Sequence, residues 1–358
     1  MPYRNAIGET YDDGDFARML DAALARFDWA GFGSRRALAE RDARLLGRGI
    51  CSYVEWTGGA NYTEPVVLRA LADGRIEALS GTQAMGQGIC GSYATLLAGR
   101  LDLPRNRITV LQGDTDRLVG GGSAGSRSLF VGGAAMVKAA DTLLKDAEAL
   151  AAAALEVAPA DLRYGDGRFT VAGTDQSITL GELATRSAGG VLVASVADTV
   201  QGPSWPNGCH VCEVEIDPAT GATRITRYVA VDDVGRVVNR SIVEGQLHGG
   251  AAQGMGQALL EQIVYDADTA QLLTGSFMDY ALPRAEDCPD WECELDTSIP
   301  CLTNPLGVKG AGEAGAIAAP AAIANAVLDA LASYGARAID MPFSSERVWR
   351  AINQRFPR

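Results

Sequence analysis

Clustered glycine is the feature that most restricts what this chain can fold into. The 358 residues include 42 glycines, about 12% against a usual ~7%. Fifteen of them gather in four runs, at 81–91, 120–128, 250–257 and 307–315. A fixed glycine period would mean collagen, and a structureless linker would lack the apolar content for a core. This chain is 47% hydrophobic and 21% charged, which is a globular balance. Clustered glycine in such a chain marks backbone that must bend sharply or come very close to something.

Apolar periodicity predicts the surroundings of these runs. Phe16, Met19, Leu20, Ala23, Leu24 and Phe27 behind Asp15 predict a helix over 15–27, and a second is expected over 34–46. Residues 49–56 read as a strand, and 66–70 with 76–79 as a hairpin turning on Asp73-Gly74. Further helices are expected over 92–101, from the second glycine run to about 155, and over 241–260, 316–333 and 344–352. Strands are expected over 108–111, 211–216 and 223–232, a small hairpin within 162–183, and irregular chain over 189–208. Strands and helices mix without strict βαβ alternation, so the expected class is α+β. Single cores tend to divide above roughly 250–300 residues. With a shift in composition near residue 200, two lobes are expected, 1–200 and 201–358.

The formal net charge is −13, which argues against nucleic acid as a partner, although backbone N–H groups can still hold an anion locally. Seven irregularly spaced cysteines fit reduced thiols in a cytoplasm better than a disulfide framework. No signal peptide or membrane span is visible. Cys209-His210-Val211-Cys212 spells Cys-x-x-Cys, but on a strand the two thiols face opposite ways, which is wrong for chelation. No protein ligand set for a metal is expected.

Each glycine run has a chemical and a structural reading. Gly86, Gln87 and Gly88 precede a helix, where glycine admits a ligand and the glutamine amide both donates and accepts. Taken alone, they are better explained by a tight strand-to-helix turn with an incidental glutamine. Gly86, Gly88 and Gly91 match the dinucleotide spacing by letter, but no βαβ unit with an acidic residue about 20 positions on is expected around them. Ser123, Gly125, Ser126, Arg127 and Ser128 could grip a phosphate or form a flexible link. The third run, around Gln253, serves either close helix packing or a ligand. In the fourth, Lys309, Gly310 and Gly312 lead to Glu313, a lone acid among small residues. If buried, its carboxyl would have a raised pKa and could act as a general base; a helix cap is the alternative, for which Glu is a poor choice.

Five ordered motifs resemble those of the molybdopterin-binding large subunits of the xanthine dehydrogenase and aldehyde oxidase family, which includes carbon monoxide dehydrogenase. They are Gly86-Gln87-Gly88, then Gly113-Asp114-Thr115-Asp116, then Gly122-Ser123-Ala124-Gly125-Ser126-Arg127-Ser128, then Ala252-Gln253-Gly254-Met255-Gly256-Gln257-Ala258, then Gly307-Val308-Lys309-Gly310-Ala311-Gly312-Glu313-Ala314-Gly315. The resemblance covers essentially the whole chain. It implies the molybdenum-cofactor-binding fold and a molybdopterin cofactor, often the cytosine dinucleotide form, that carries molybdenum without a direct protein ligand. It places Gln87 and its glycines along the pterin, Ser123, Ser126, Arg127 and Ser128 at the pyrophosphate end, Gln253 near the cofactor, and Glu313 as catalytic base. The implied reaction hydroxylates an electron-poor carbon of an aldehyde or N-heterocycle with oxygen from water. Electrons would leave through iron–sulfur clusters, and in some members flavin, on partner chains. Large subunits of the family are about twice as long, so this chain resembles the C-terminal half and would need the N-terminal half as a partner. A non-catalytic cofactor module and an unrelated nucleotide-binding enzyme are the alternatives.

Overall fold

The computed structural model describes residues 1–59 and 61–354. Short strands β1 (Tyr3–Arg4) and β2 (Thr10–Tyr11) pair antiparallel. Asp15 then accepts from the Arg18 N–H and starts α1 (Phe16–Phe27), whose Met19, Ala23 and Phe27 are buried. Helix α2 (Phe32–Arg41) is shorter than expected: Ala43 adopts a φ of 53°, which no helix continues through, and β3 (Leu45–Val54) follows.

Strands β4 (Thr63–Leu71) and β5 (Ile76–Ser80) form the expected hairpin. Helix α3 (Ile89–Arg100) then crosses to β6 (Ile108–Leu111), which lies parallel to β5. A βαβ unit is therefore present at the first glycine run, contrary to expectation. It does not belong to a doubly wound parallel sheet, because β4 is antiparallel to β5. Residues 128–133 turn as a π-helix into α4 (Ala134–Leu155). Strands β7 (Leu162–Gly165), β8 (Arg168–Val171) and β9 (Ser177–Thr179) make a small sheet. Helix α5 (Leu180–Arg186) opens with a capping box between Thr179 and Glu182.

The stretch expected to be irregular contains β10 (Val191–Thr199), antiparallel to β4 along its whole length. Its period of two was obscured because Val193 faces solvent while Leu192 and Ala194 are buried. The first sheet runs β10-β4-β5-β6, and α4 packs on β10 and β4.

Strands β11 (Asn207–Ile216) and β12 (Thr223–Asp233) lead to α6 (Arg240–Leu259), β13 (Trp291–Asp296), α7 (Ala314–Ala330) and α8 (Ser345–Asn353). The second sheet runs β13-β12-β11-β3. It is covered by α1 on one face and by α7 on the other. Two cores result. One gathers buried residues between Val66 and Ala194; the other gathers β11, β12, α6, α7 and α8. Strand β3 bonds to β11 from Leu45↔Ile216 to Val54↔Asn207. A division drawn at residue 200 thus parts β3 from its partner strand.

Helix α7 is rich in alanine because it is hemmed in on two sides. A Cβ on Gly47 or Gly49 of β3 would lie 2.0 Å from Ala326 O or 2.1 Å from Ala322 O. A Cβ on Gly315 would lie 2.4 Å from the α6 backbone at Leu247 O. No described helix is long and apolar enough to cross a membrane.

Candidate functional site

Three of the four glycine runs meet where the two cores adjoin. Runs one and two are in backbone contact: a Cβ on Gly81 or on Gly120 would stand 2.3 Å from the other's Cα, and the Gly122 N–H donates to Gly81 O at 3.1 Å. Ser123 is the clasp. Its Oγ accepts from the Gln83 N–H (3.0 Å), donates to Gln83 O (2.8 Å) and lies 2.7 Å from Ser128 Oγ. Run four closes on run two at Gly310, where a Cβ would stand 2.5 Å from Thr57 Oγ1 and 2.6 Å from Ser126 Cβ. Ser126 Oγ accepts from the Glu313 N–H (3.2 Å) and donates to Glu313 Oε2 (3.3 Å). Ser126 has a φ of +55°, unusual for a residue with a side chain.

These contacts frame a cavity of about 290 Å³. Of the expected residues, Gln87, Ser123, Gly125, Ser126, Arg127, Ser128, Lys309, Gly310, Gly312 and Glu313 line it. Gly86 and Gly88 do not; both have positive φ (94° and 75°) and serve the turn into α3. Gln253 is exposed and outside the lining, whereas Gln246, two turns earlier on α6, is in it. Spacing alone could not separate the two, since seven residues bring a helix back to nearly the same face.

Several side chains do other work than expected. The Gln87 amide is used inside its own loop, accepting from the Met85 N–H and donating to Gln83 O, both at 2.8 Å. Arg127 was expected to grip phosphate, but its guanidinium is buried. It donates to Asn61 O, Gly122 O and Thr63 O and pairs with buried Glu64 at 2.7 Å. It holds the loop's shape and has little donor capacity left for an anion. The Lys309 ammonium likewise turns inward, 2.7 Å from both Asp13 and Asp233. Around the third run, a Cβ on Gly250 would lie 3.0 Å from Ala316 N and one on Gly254 2.8 Å from Ala319 Cβ. These two glycines serve helix packing.

Glu313 precedes α7 as its cap residue but makes no side-chain capping bond. It was expected to be buried and is exposed. Near the cavity but outside its lining lies a buried carboxylate, Glu55, which sequence reasoning passed over as part of a strand. It is 5% exposed, and neither oxygen has a hydrogen-bond partner of good geometry. Burial pushes its carboxyl up to about 7; the Ser126 hydroxyl opposes this and the charge of Glu313 adds to it. Thr57 Oγ1, fully buried beside Gly310, also lacks a partner.

Cys209 and Cys212 lie in different cores on opposite faces of β11, as expected for thiols three apart on a strand. His210 between them is fully buried against Tyr228 Oη (2.8 Å) and Asp232 Oδ1 (3.0 Å). Among the described residues, no three His, Cys, Asp or Glu side chains gather into a metal-ligating group.

The sequence profile of the molybdopterin cofactor-binding domain matches residues 22–289. The chain belongs to that family. It is 33% identical to the carbon monoxide dehydrogenase large chain of Hydrogenophaga pseudoflava, over 99% of this chain and 47% of that one. It is also 33% identical to the nicotine 6-hydroxylase large subunit of Paenarthrobacter nicotinovorans, over 98% of this chain and 46% of the relative. In three dimensions it matches quinoline 2-oxidoreductase from Pseudomonas putida 86 with a TM-score of 0.88 and 31% identity, covering 99% of this chain and 48% of that one. The chain thus spans about half the length of these relatives. Small residues and main chain border the cavity, which leaves room for a bulky group to approach closely. Membership also removes the unrelated nucleotide-binding reading of Gly86, Gly88 and Gly91.

Proposed function

We propose that this chain is the C-terminal, molybdopterin-binding part of a molybdenum hydroxylase that hydroxylates an aldehyde or N-heterocycle with oxygen from water. The observation that carries this is the meeting of three distant glycine runs around one cavity with Glu313 in its wall. The site fits the cofactor: it has a cradle of small residues, an unpartnered buried hydroxyl on Thr57, and a base beside it. When bound, the cofactor supplies a two-electron redox centre and the metal's Lewis acidity. The first two runs and Ser123, Ser126 and Ser128 would hold its pterin and phosphate end, in the cytosine dinucleotide form. Glu313 takes the proton from the oxygen nucleophile that water provides. The Ser126 hydroxyl holds one carboxylate oxygen, and the Ser126–Glu313 N–H contact fixes the loop behind it.

The rest of the catalyst lies on other chains: the N-terminal half of the large subunit, an iron–sulfur subunit and an FAD subunit, assembled in the cytoplasm. Both the relatives' double length and the exposed apolar residues Phe277 and Met278 support such partners. In the assembled complex, Glu313→Gln is expected to keep molybdenum and pterin content, read by metal analysis and pterin fluorescence. Turnover should fall at least ~10²-fold, the usual scale for removing a general base. A fully loaded Gln variant that turns over at near wild-type rate would rule Glu313 out as the base.

A further inference from the structure

We propose that Arg236 supplies the positive charge of this cavity and holds a diphosphate group there. The inference rests on the cofactor reading above, whose dinucleotide form carries that group, and it starts from a count of charge. Three cations line the cavity: Arg127, Arg236 and Lys309. Two are spent. Arg127 pairs with Glu64 and donates to three main-chain oxygens. Lys309 stands between two carboxylates, Asp13 and Asp233, so that cluster cancels its charge. Glu313 adds a further acid to the wall, and the whole chain carries a net −13. A multiply charged anion entering such a cavity is repelled unless a cation meets it. Among the described residues the Arg236 guanidinium has neither an ion-pair nor a hydrogen-bond partner, and the residue is exposed. Arg240, four residues on, is taken by Glu244 at 2.7 Å.

The placement of Arg236 is built. Just past β12 the chain pairs antiparallel with the fourth glycine run. Gly235 lies opposite Val308, the Arg236 N–H donates to Gly307 O at 2.8 Å, and the Lys309 N–H donates to Val234 O at 2.9 Å. The Arg236 stem crosses Gly307, where a Cβ would stand 3.1 Å from its Cδ and 3.3 Å from its Cγ. Gly307 also has a φ of +68°, so glycine there serves both the turn and the arginine stem. A planar guanidinium with uncommitted N–H groups can meet two phosphoryl oxygens at once, which a serine hydroxyl cannot. Ser126 and Ser128 line the same cavity and offer neutral polar groups. The wall runs on past Asn239 into the start of α6, whose N-terminal end carries partial positive charge that favours the same occupant.

The test is calorimetric titration of the full chain with inorganic pyrophosphate. Wild type should bind it, and Arg236→Gln should bind it roughly 10-fold or more weakly, the scale of losing one charge-assisted contact. Arg236→Lys keeps the charge without the fork and should fall between the two. Arg240→Gln removes the same net charge from a residue already paired and should leave the affinity at the wild-type value. Both positions are exposed, so all three variants should keep the wild-type circular dichroism. In the assembled complex, Arg236→Gln should retain less pterin after gel filtration, read by fluorescence. A wild-type chain that binds no pyrophosphate overturns the proposal, as does an Arg236→Gln affinity equal to wild type. An Arg240→Gln loss of the same size overturns it too, because diffuse charge and not a site would then be acting. If the assembled wild type holds no pterin while pyrophosphate affinity still depends on Arg236, the cofactor reading fails and the anion site stands.

Discussion

The carboxyl of Glu55 has an ordinary value of 4.5 and a folded value of about 7. A group whose pKa rises on folding binds more protons folded than unfolded, so its contribution is fully present below 4.5 and is lost as pH climbs to 7. The loss amounts to at most about 3.5 kcal/mol, at roughly 1.4 kcal/mol for each unit. Urea unfolding at several pH values should therefore show wild type weakening against Glu55→Gln between pH 4.5 and 7, with the difference level above that. A difference that does not change with pH would contradict the raised value. The same residue shows a limit of reading sequence. Glu313 stands out in a run of glycines, whereas Glu55, at the end of an alternating strand, looks like any solvent-facing acid. Its surroundings come from distant chain: its N–H is taken by Pro206 O, and Thr57, two residues on, meets Gly310, some 255 residues further along.

Elements explain the third glycine run. Gly250 and Gly254 lie on the α6 face that meets α7, and Gly47 and Gly49 let β3 meet α7 from the other side. The helix–helix spacing is set by these absent side chains. Gly254→Leu should force α6 from Ala319 and Pro320, from which even a Cβ would stand only 2.8 Å. The expected cost is ~1–3 kcal/mol of overpacking strain, seen as a lower urea midpoint. An unchanged midpoint would show that α6 can slide. In sequence, glycines within a helical pattern signal close approach without saying to what, and here the answer is another helix. The 189–208 stretch departs from its expected irregular course for a related reason: β10 pairs with β4 from over a hundred residues away, so the edge of that sheet is decided by partner geometry and not by local alternation.

At the scale of the molecule, the second core leaves a segment after α6 with little cover. Ile263, Tyr265, Leu273, Phe277 and Met278 are all more than half exposed, Phe277 at 85% and Met278 at 93%. Apolar side chains this exposed and this close in sequence suit the partner contact proposed above. The relatives, twice as long, have the chain to cover it. Phe277→Asp should leave this chain folded by circular dichroism but sharply reduce its co-purification with the N-terminal half when the two are co-expressed. Undiminished co-purification would place that interface elsewhere.

The sequence by itself determined the mixture of helix and strand, the places where backbone had to come close, and the family to which five ordered motifs point. These are local properties: glycine permits bends, apolar spacing selects the element, and motif order survives without coordinates. Only the tertiary structure decided which polar groups face the cavity. Arg127 and Lys309 lie within the right loops, yet their charges are spent on Glu64, Asp13 and Asp233. Gln246 replaces Gln253 in the lining, and Glu313 in the cavity wall is exposed. A side chain's direction and burial are set by whatever packs against it, and here those neighbours arrive from distant parts of the chain.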